Sequence, residues 1–112
     1  MQFEDLEIWK MTEKLILDAY KICKEIKDFG FKDQLQRASI SIANNISEWY
    51  ERQTIKEKQR FLRITKWSCW EVRNMLYFGL KLWYVSQQQY SESYSQCISI
   101  SKMIYAFIKK IK

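Results

Sequence analysis

The chain has 112 residues, a formal net charge of +6, no proline, no histidine and two glycines. The lack of histidine excludes imidazole catalysis and histidine-ligated metal sites, and the scarcity of turn residues argues against an all-β fold. No apolar run is long enough to cross a bilayer and no signal-peptide pattern is present, so we expect a cytoplasmic protein with no membrane segment. The length favours one domain over residues 1–112.

The three cysteines, Cys23, Cys69 and Cys97, are widely spaced and form no CxxC motif. Such cysteines are typical of buried thiols in a reducing compartment rather than of disulfides or metal ligands. We therefore expect neither a metal nor another cofactor.

Helix 1 is predicted over residues 5–28, with Asp5 as its N-cap. Gly30, within Phe29-Gly30-Phe31, is predicted to end this helix in a left-handed conformation. Residues at helical spacing predict one buried stripe. Its members are Leu6, Trp9, Glu13, Ile16, Leu17, Tyr20, Cys23 and Ile26.

Helix 2 is predicted over residues 32–50, with an apolar face that includes one amide. Its inward residues are Leu35, Ala38, Ile42, Asn45 and Ile46. Asparagine is a poor helix former, so Asn44 and Asn45 are expected to find polar partners, most simply on a neighbouring helix.

Helix 3 is predicted to start at a capping box, Thr54 to Glu57, and to run to about residue 83. Two parallel lines of residues predict a wide buried face of the kind found in helical bundles. The first line is Phe61, Thr65, Ser68, Val72, Met75, Gly79 and Leu82, and the second is Leu62, Cys69, Leu76, Leu80 and Trp83.

Helix 4 is predicted to start at a second capping box, Ser86 to Gln89, and to continue to the C-terminus, where Lys109, Lys110 and Lys112 suit the helix dipole. Its predicted apolar stripe is Tyr90, Tyr94, Cys97, Ile98, Ser101, Ile104, Tyr105, Ile108 and Ile111. Four helices with short links predict an all-α, antiparallel up-down-up-down four-helix bundle.

A basic row stands at the start of helix 3, where Arg52, Lys56, Arg60 and Arg63 are spaced at four, four and three residues. This spacing places them on one helix face, where they could contact successive phosphates, and the net charge favours a polyanionic partner. Two alternatives stay open. The row can simply solvate an exposed face, or Trp67 and Trp70 beside it can add platforms on which bases stack.

Four segments resemble the four-helix-bundle proteins encoded in 23S rRNA intervening sequences. They are FEDLEIW (3–9), DQLQRASISIANNISE (33–48), YERQTIKEKQRFLRIT (50–65) and EVRNMLYFGLKLWYV (71–85). The resemblance extends to the accessory variability proteins of diversity-generating retroelements, which pair with a reverse transcriptase and bind nucleic acid. It implies a bundle that assembles as a ring, typically a homopentamer, without assigned catalytic residues.

The family pattern also marks polar residues of helices 2 and 3. Those interpreted as a structural polar network, across the two helices or at a subunit contact, are Arg37, Asn45, Glu48, Ser68 and Glu71. The carboxylates Glu48 and Glu51 lie one turn apart, which is common in a charged protein, so an enzyme is not expected.

Four tryptophans depart from the resemblance, because Trp49, Trp67, Trp70 and Trp83 stand where the family pattern has glycine. One cause for all four would be UGA codons that are read as glycine in the source organism. Glycine positions often mark close backbone approach, so tryptophan at 67 or 70 would overpack the bundle unless it faced solvent.

The sequence therefore predicts a non-enzymatic nucleic-acid-binding protein that acts as an RNA or ribonucleoprotein accessory, in the form of a basic homo-oligomeric bundle. The alternative is a structural interaction module that partners a reverse transcriptase.

Overall fold

The computed structural model describes residues 5–111, and within them it contains four α-helices and no strand. The helices are α1 (Glu7–Cys23), α2 (Phe29–Glu51), α3 (Ile55–Lys81) and α4 (Gln87–Lys110). Each helix packs on its neighbours in the chain and α1 also packs on α4, so the four close into a bundle. The predicted all-α fold is confirmed, whereas ring assembly stays a prediction. Phe3, Glu4 and Lys112, which entered the sequence predictions, lie outside the described residues.

Aliphatic side chains from all four helices fill the bundle. The largest fully buried ones are Ile8, Leu15, Leu35, Ile42, Ile46, Leu62, Leu76, Ile100 and Ile104. Burial of each contributes about 1.5–3 kcal/mol relative to exposure, which makes this core the main source of stability. None of the helices in the described part of the chain is long and apolar enough to span a membrane.

The predicted buried stripe of α1 is largely wrong. The helix buries Ile8, Thr12, Leu15, Ala19 and Ile22, together with Cys23 at its end. Three residues of the predicted stripe are instead exposed: Glu13, Leu17 at 58% and Tyr20 at 40%. A polar residue can occupy the core line because the Thr12 hydroxyl donates to the carbonyl of Ile8 at 2.8 Å.

The predicted ends of α1 also differ from the structure. Leu6, not Asp5, is the N-cap, and the helix ends at Cys23 instead of residue 28. Asp28 is the N-cap of α2, where its Oδ1 accepts from the backbone N–H of Phe31 at 3.1 Å. Because this cap starts α2 at Phe29, Gly30 lies in the first helical turn and its φ is not positive, so the left-handed prediction is wrong.

The predicted N-caps mark the starts of α3 and α4, but of the box predicted at Thr54 only the hydroxyl half is seen. Thr54 Oγ1 accepts from the backbone N–H of Glu57 at 3.1 Å. At Ser86 both halves of the capping box are present. These caps fix where each of the two helices begins relative to the core.

The end of α3 is tighter than predicted. The helix stops at Lys81, so Leu82 and Trp83 leave the helical spacing and are exposed at 50% and 92% instead of buried. Trp83 has a φ of 66°, and its N–H donates to the carbonyl of Leu80 at 3.2 Å. A left-handed residue with this bond is the C′ position of a Schellman motif, a position that glycine usually occupies.

Candidate nucleic-acid interface

The predicted basic row lies on two helices, not one. Lys56, Arg60 and Arg63 are exposed on α3, and their spacing places them on one face. Arg52 is the C-cap of α2, so the prediction that it shares this helix face is wrong. The chain leaves helical geometry at Arg52 and re-enters it at Ile55, which breaks the spacing.

Arg52 nevertheless stands beside the row. Its guanidinium carbon lies 5.2 Å from the centre of the Phe61 ring, and that of Arg60 lies 5.5 Å from the same ring. Two guanidinium groups therefore flank one aromatic side chain at the start of α3. A cation over an aromatic ring gains about 0.5–1 kcal/mol at exposed sites, which favours this placement.

The cations of α3 differ from other cations of the bundle in lacking acidic partners. Within residues 5–111, no carboxylate lies within ion-pair distance of Lys56, Arg60 or Arg63. By contrast, ion pairs join Lys14 to Asp18, Arg37 to Asp33 and Arg52 to Glu48, each between residues four apart. The positive charge of the α3 row is thus not neutralised by the described residues.

The polar residues predicted as a network are only partly brought together. The expected partner on a neighbouring helix is not found in the part of the chain that the structure describes, because Asn45 Nδ2 donates to the carbonyl of Ser41 on its own helix at 2.8 Å and Asn44 is exposed. Ser41 Oγ in turn lies 2.8 Å from Ser68 Oγ. Through Ser41, which the sequence prediction did not include, Asn45 is connected to the buried Ser68 of α3. This bond satisfies a buried hydroxyl between the two helices.

The remaining three members of that set lie elsewhere. Arg37 donates from Nε to Asp33 Oδ2 at 2.8 Å, and Glu48 accepts from Arg52, both along α2. Glu71 is exposed on α3, and with Arg37 it lines a groove of about 420 Å³ between α2 and α3. Arg37 and Glu71 thus face one groove, while Glu48 takes no part in it.

Two side chains of α4 that sequence reasoning placed in the core face the cations of α3. Tyr105 is 52% exposed, with Lys66 Nζ at 5.4 Å and Lys109 Nζ at 5.1 Å from its ring centre. Tyr94 accepts a hydrogen bond from Arg73 Nη2 at 3.1 Å and has the guanidinium carbon 5.2 Å from its ring. Tyr94 and Tyr105 are eleven positions apart, which is about three helical turns and places them on one face of α4. This spacing was the signal in the sequence that could have identified them.

The two tryptophans of the middle of α3 do not crowd the core. Trp67 and Trp70 are 64% and 54% exposed, and their ring centres lie 5.6 Å apart. Trp49 is half-buried and stacks on Phe107 at 5.0 Å. Because Trp67 and Trp70 face outward, the overpacking considered for these positions does not arise within the monomer.

The described residues hold no group of three or more cysteine and carboxylate side chains that could bind a metal ion. Cys23, Cys69 and Cys97 are free and buried. Burial raises the pKa of Cys69 to about 11, and burial also raises the pKa of Cys97. These thiols are therefore protonated near neutral pH and are poor nucleophiles.

Comparison with known proteins identifies both a family and a fold. A family model described as 23S rRNA-intervening sequence protein matches residues 4–106. A crystal structure of a protein of unknown function, from the S23 ribosomal protein family of Bacteroides thetaiotaomicron, matches with a TM-score of 0.87. The two chains are 21% identical, and the match covers 92% of this chain and 99% of that one, which shows a common fold. No curated protein matches the chain.

Proposed function

Because the chain belongs to the 23S rRNA-intervening sequence protein family, we propose that it is a non-enzymatic nucleic-acid-binding protein that contacts phosphates through α3. The observation that carries this proposal is the exposed row of Lys56, Arg60 and Arg63, which has no acidic partner among the described residues. Such a row releases counterions when it meets a polyanion, which is the main source of sequence-independent affinity.

The dimensions of the row suit a phosphate backbone. From Lys56 to Arg63 the helix rises about 10 Å, which matches the axial span of about three phosphates of one strand. Arg52, which is paired with Glu48, lies beside Phe61 just before α3 begins and is not counted in the row. Phosphate contacts of this kind position a nucleic acid without reading its sequence.

Assembly into a homo-oligomer belongs to the same proposal. The family resemblance favours a ring, typically a pentamer, and each copy would add one basic row. Several weak rows on one assembly bind a long nucleic acid more tightly than one row does, because later contacts are intramolecular. Sedimentation at several protein concentrations tests this part independently of binding.

The test of the proposed function is binding of a labelled RNA by the wild type and by two charge-reversal variants. Arg60→Glu reverses one charge of the row, whereas the matched control, Lys10→Glu, reverses an exposed charge on α1, which packs mainly on α2 and α4. We expect Arg60→Glu to lower the affinity strongly and Lys10→Glu to lower it only slightly. Equal loss in both variants would show that only the net charge matters.

The partnership with a reverse transcriptase remains an alternative that rests on the family resemblance. A reverse-transcriptase gene with a template repeat next to the coding sequence would favour it. A coding sequence that lies within a 23S rRNA gene would instead favour the role of an RNA or ribonucleoprotein accessory.

A further inference from the structure

We propose that the long depression between α3 and α4, here named the α3–α4 trough, binds single-stranded nucleic acid. In this proposal unpaired bases stack on the trough's tyrosines while the phosphates meet the cations of α3. The inference rests on the proposed function and narrows its ligand from nucleic acid in general to an unpaired strand.

The α3–α4 trough consists of two adjoining hollows that share Trp70. The larger has a volume of about 560 Å³ and is lined by Arg63, Lys66, Trp67, Trp70, Tyr105 and Ile108. The smaller has a volume of about 180 Å³ and is lined by Trp70, Arg73, Asn74, Tyr77, Tyr90 and Tyr94. Neither lining contains an acidic residue, so the trough combines aromatic rings with uncompensated positive charge.

Tyr105 is the most accessible tyrosine of the trough. Half of its surface is exposed, and the two cations near its ring, Lys66 and Lys109, are themselves exposed. Long lysine side chains can move from the ring to a phosphate at little cost, which frees a ring face for a base. Stacking on a ring and pairing with a lysine are then available to the same nucleotide.

Arg73 provides a second cation beside a second tyrosine. It donates to the Tyr94 hydroxyl, but its buried Nε has no acceptor among the described residues, so the guanidinium is not satisfied by the protein. Tyr90 lies beside Tyr94, with ring centres 5.2 Å apart. From Lys66 to Arg73 the helix rises about 10 Å, so the arrangement of cation and tyrosine repeats along the trough.

Arg63 connects the trough to the basic row. It is exposed, it belongs to the row with Lys56 and Arg60, and it also lines the larger hollow. A phosphate chain can thus follow α3 from the row into the trough without meeting a negative lining residue. Because bases of a duplex are already stacked on each other, only an unpaired strand can offer them to the tyrosines.

The proposal rests on the tyrosines and the cations, whether positions 67 and 70 carry tryptophan or glycine. Trp70 stands between the two hollows, since it lines both. A glycine there would remove the side chain that separates them and would leave Tyr105, Tyr94 and the cations in place. The aromatic contact assigned to the trough therefore survives the double variant W67G/W70G.

The experiment measures the affinity of the protein for a labelled oligonucleotide of about ten nucleotides by fluorescence anisotropy. The oligonucleotide is used as a single strand and as a duplex, and each is made of RNA and of DNA. We expect the single strand to bind more tightly than the duplex. Tyr105→Ala should weaken single-strand binding about tenfold and leave duplex binding unchanged, because it removes one stacking platform. Tyr105→Phe, which keeps the ring, and Tyr20→Ala, which removes an exposed tyrosine of α1, should both bind like the wild type.

The outcomes separate this inference from the proposed function. If Arg60→Glu abolishes binding while Tyr105→Ala and Tyr94→Ala leave it unchanged, the trough does not bind the strand, and the proposed function stands. Equal affinity for the single strand and the duplex would also refute single-strand binding in the trough. Loss of single-strand preference in W67G/W70G, but not in the tyrosine variants, would contradict the assignment to tyrosines. No binding at low salt by any form would refute both proposals. A preference for the single strand would support binding in the trough, and comparison of the RNA and DNA forms would show which nucleic acid the trough binds.

Discussion

Tyr84 donates its backbone N–H to the carbonyl of Gly79 at 2.8 Å, which closes the Schellman motif at the end of α3 with Trp83 as its left-handed residue. An L residue with a side chain is disfavoured in this conformation, and glycine is not. The backbone geometry at position 83 is therefore one that suits glycine, the residue that the family resemblance implies there.

Trp83→Gly is expected to raise the free energy of unfolding by about 1 kcal/mol, because it relieves the left-handed strain at a side chain that is almost fully exposed. The matched control is Trp67→Gly, which places glycine inside α3 and should lower the free energy by about 1 kcal/mol. Urea unfolding of both variants measures the difference. A less stable Trp83→Gly protein would contradict this interpretation of the motif.

The codons at positions 49, 67, 70 and 83 test the recoding hypothesis directly. We expect TGA in the source DNA at all four positions, and glycine in the peptides of the protein isolated from its source. TGG codons there would show that the tryptophans are native.

Gly79→Ala is expected to destabilise the bundle. A Cβ at position 79 would lie 2.6 Å from Val85 Cγ2 and 3.0 Å from Phe31 Cζ, and overpacking of this kind costs about 1–3 kcal/mol. Gly30→Ala is the control, because its nearest contact is Asp28 Oδ1 at 3.6 Å in the first turn of α2, where alanine favours the helix. Thermal unfolding should show a lower Tm for the first variant only. An unchanged Tm for Gly79→Ala would mean that Val85 can move away.

Burial of the thiols is expected to make both their reactivity and the stability of the folded protein depend on pH. Burial raises the pKa of Cys69 to about 11, above its ordinary value of 9.0, so the folded protein holds this proton more tightly than the unfolded chain. The resulting stability is present below pH 9.0 and is lost as the pH rises toward about 11. At about pH 8 alkylation should be slow in the folded protein and fast in denaturant. Rapid alkylation of Cys69 in the folded protein would contradict its burial.

The sequence predicted α3 and α4 because capping boxes and apolar spacing agreed there, and it predicted α2 from apolar spacing alone. Asp28 was missed as the N-cap of α2, since the adjacent Gly30 suggested a helix end. In α1 the predicted stripe through Leu17 and Tyr20 did not include Ile8, Thr12 and Leu15, which the helix buries. Thr12 can stand in this buried line because its hydroxyl bonds to its own helix backbone.

The candidate site was less predictable than the fold. Lys56, Arg60 and Arg63 were placed together correctly on α3, but Arg52 was not, because the break before Ile55 removes the helical spacing. Tyr105 was assigned to the core, since a stripe at helical spacing does not show which of its members lie at the edge of the buried face. Which cations lack an acidic partner also depends on rotamers and neighbours that spacing alone does not give.

The salt dependence of RNA binding tests the central claim most directly. If α3 contacts three phosphates of a single strand, the logarithm of the binding constant should fall with the logarithm of the salt concentration with a slope of about −2. Arg60→Glu should reduce both the affinity and this slope, while Lys10→Glu should retain the slope. Failure of the wild type to bind RNA at about 50 mM salt, or a slope that Arg60→Glu leaves unchanged, would contradict the account.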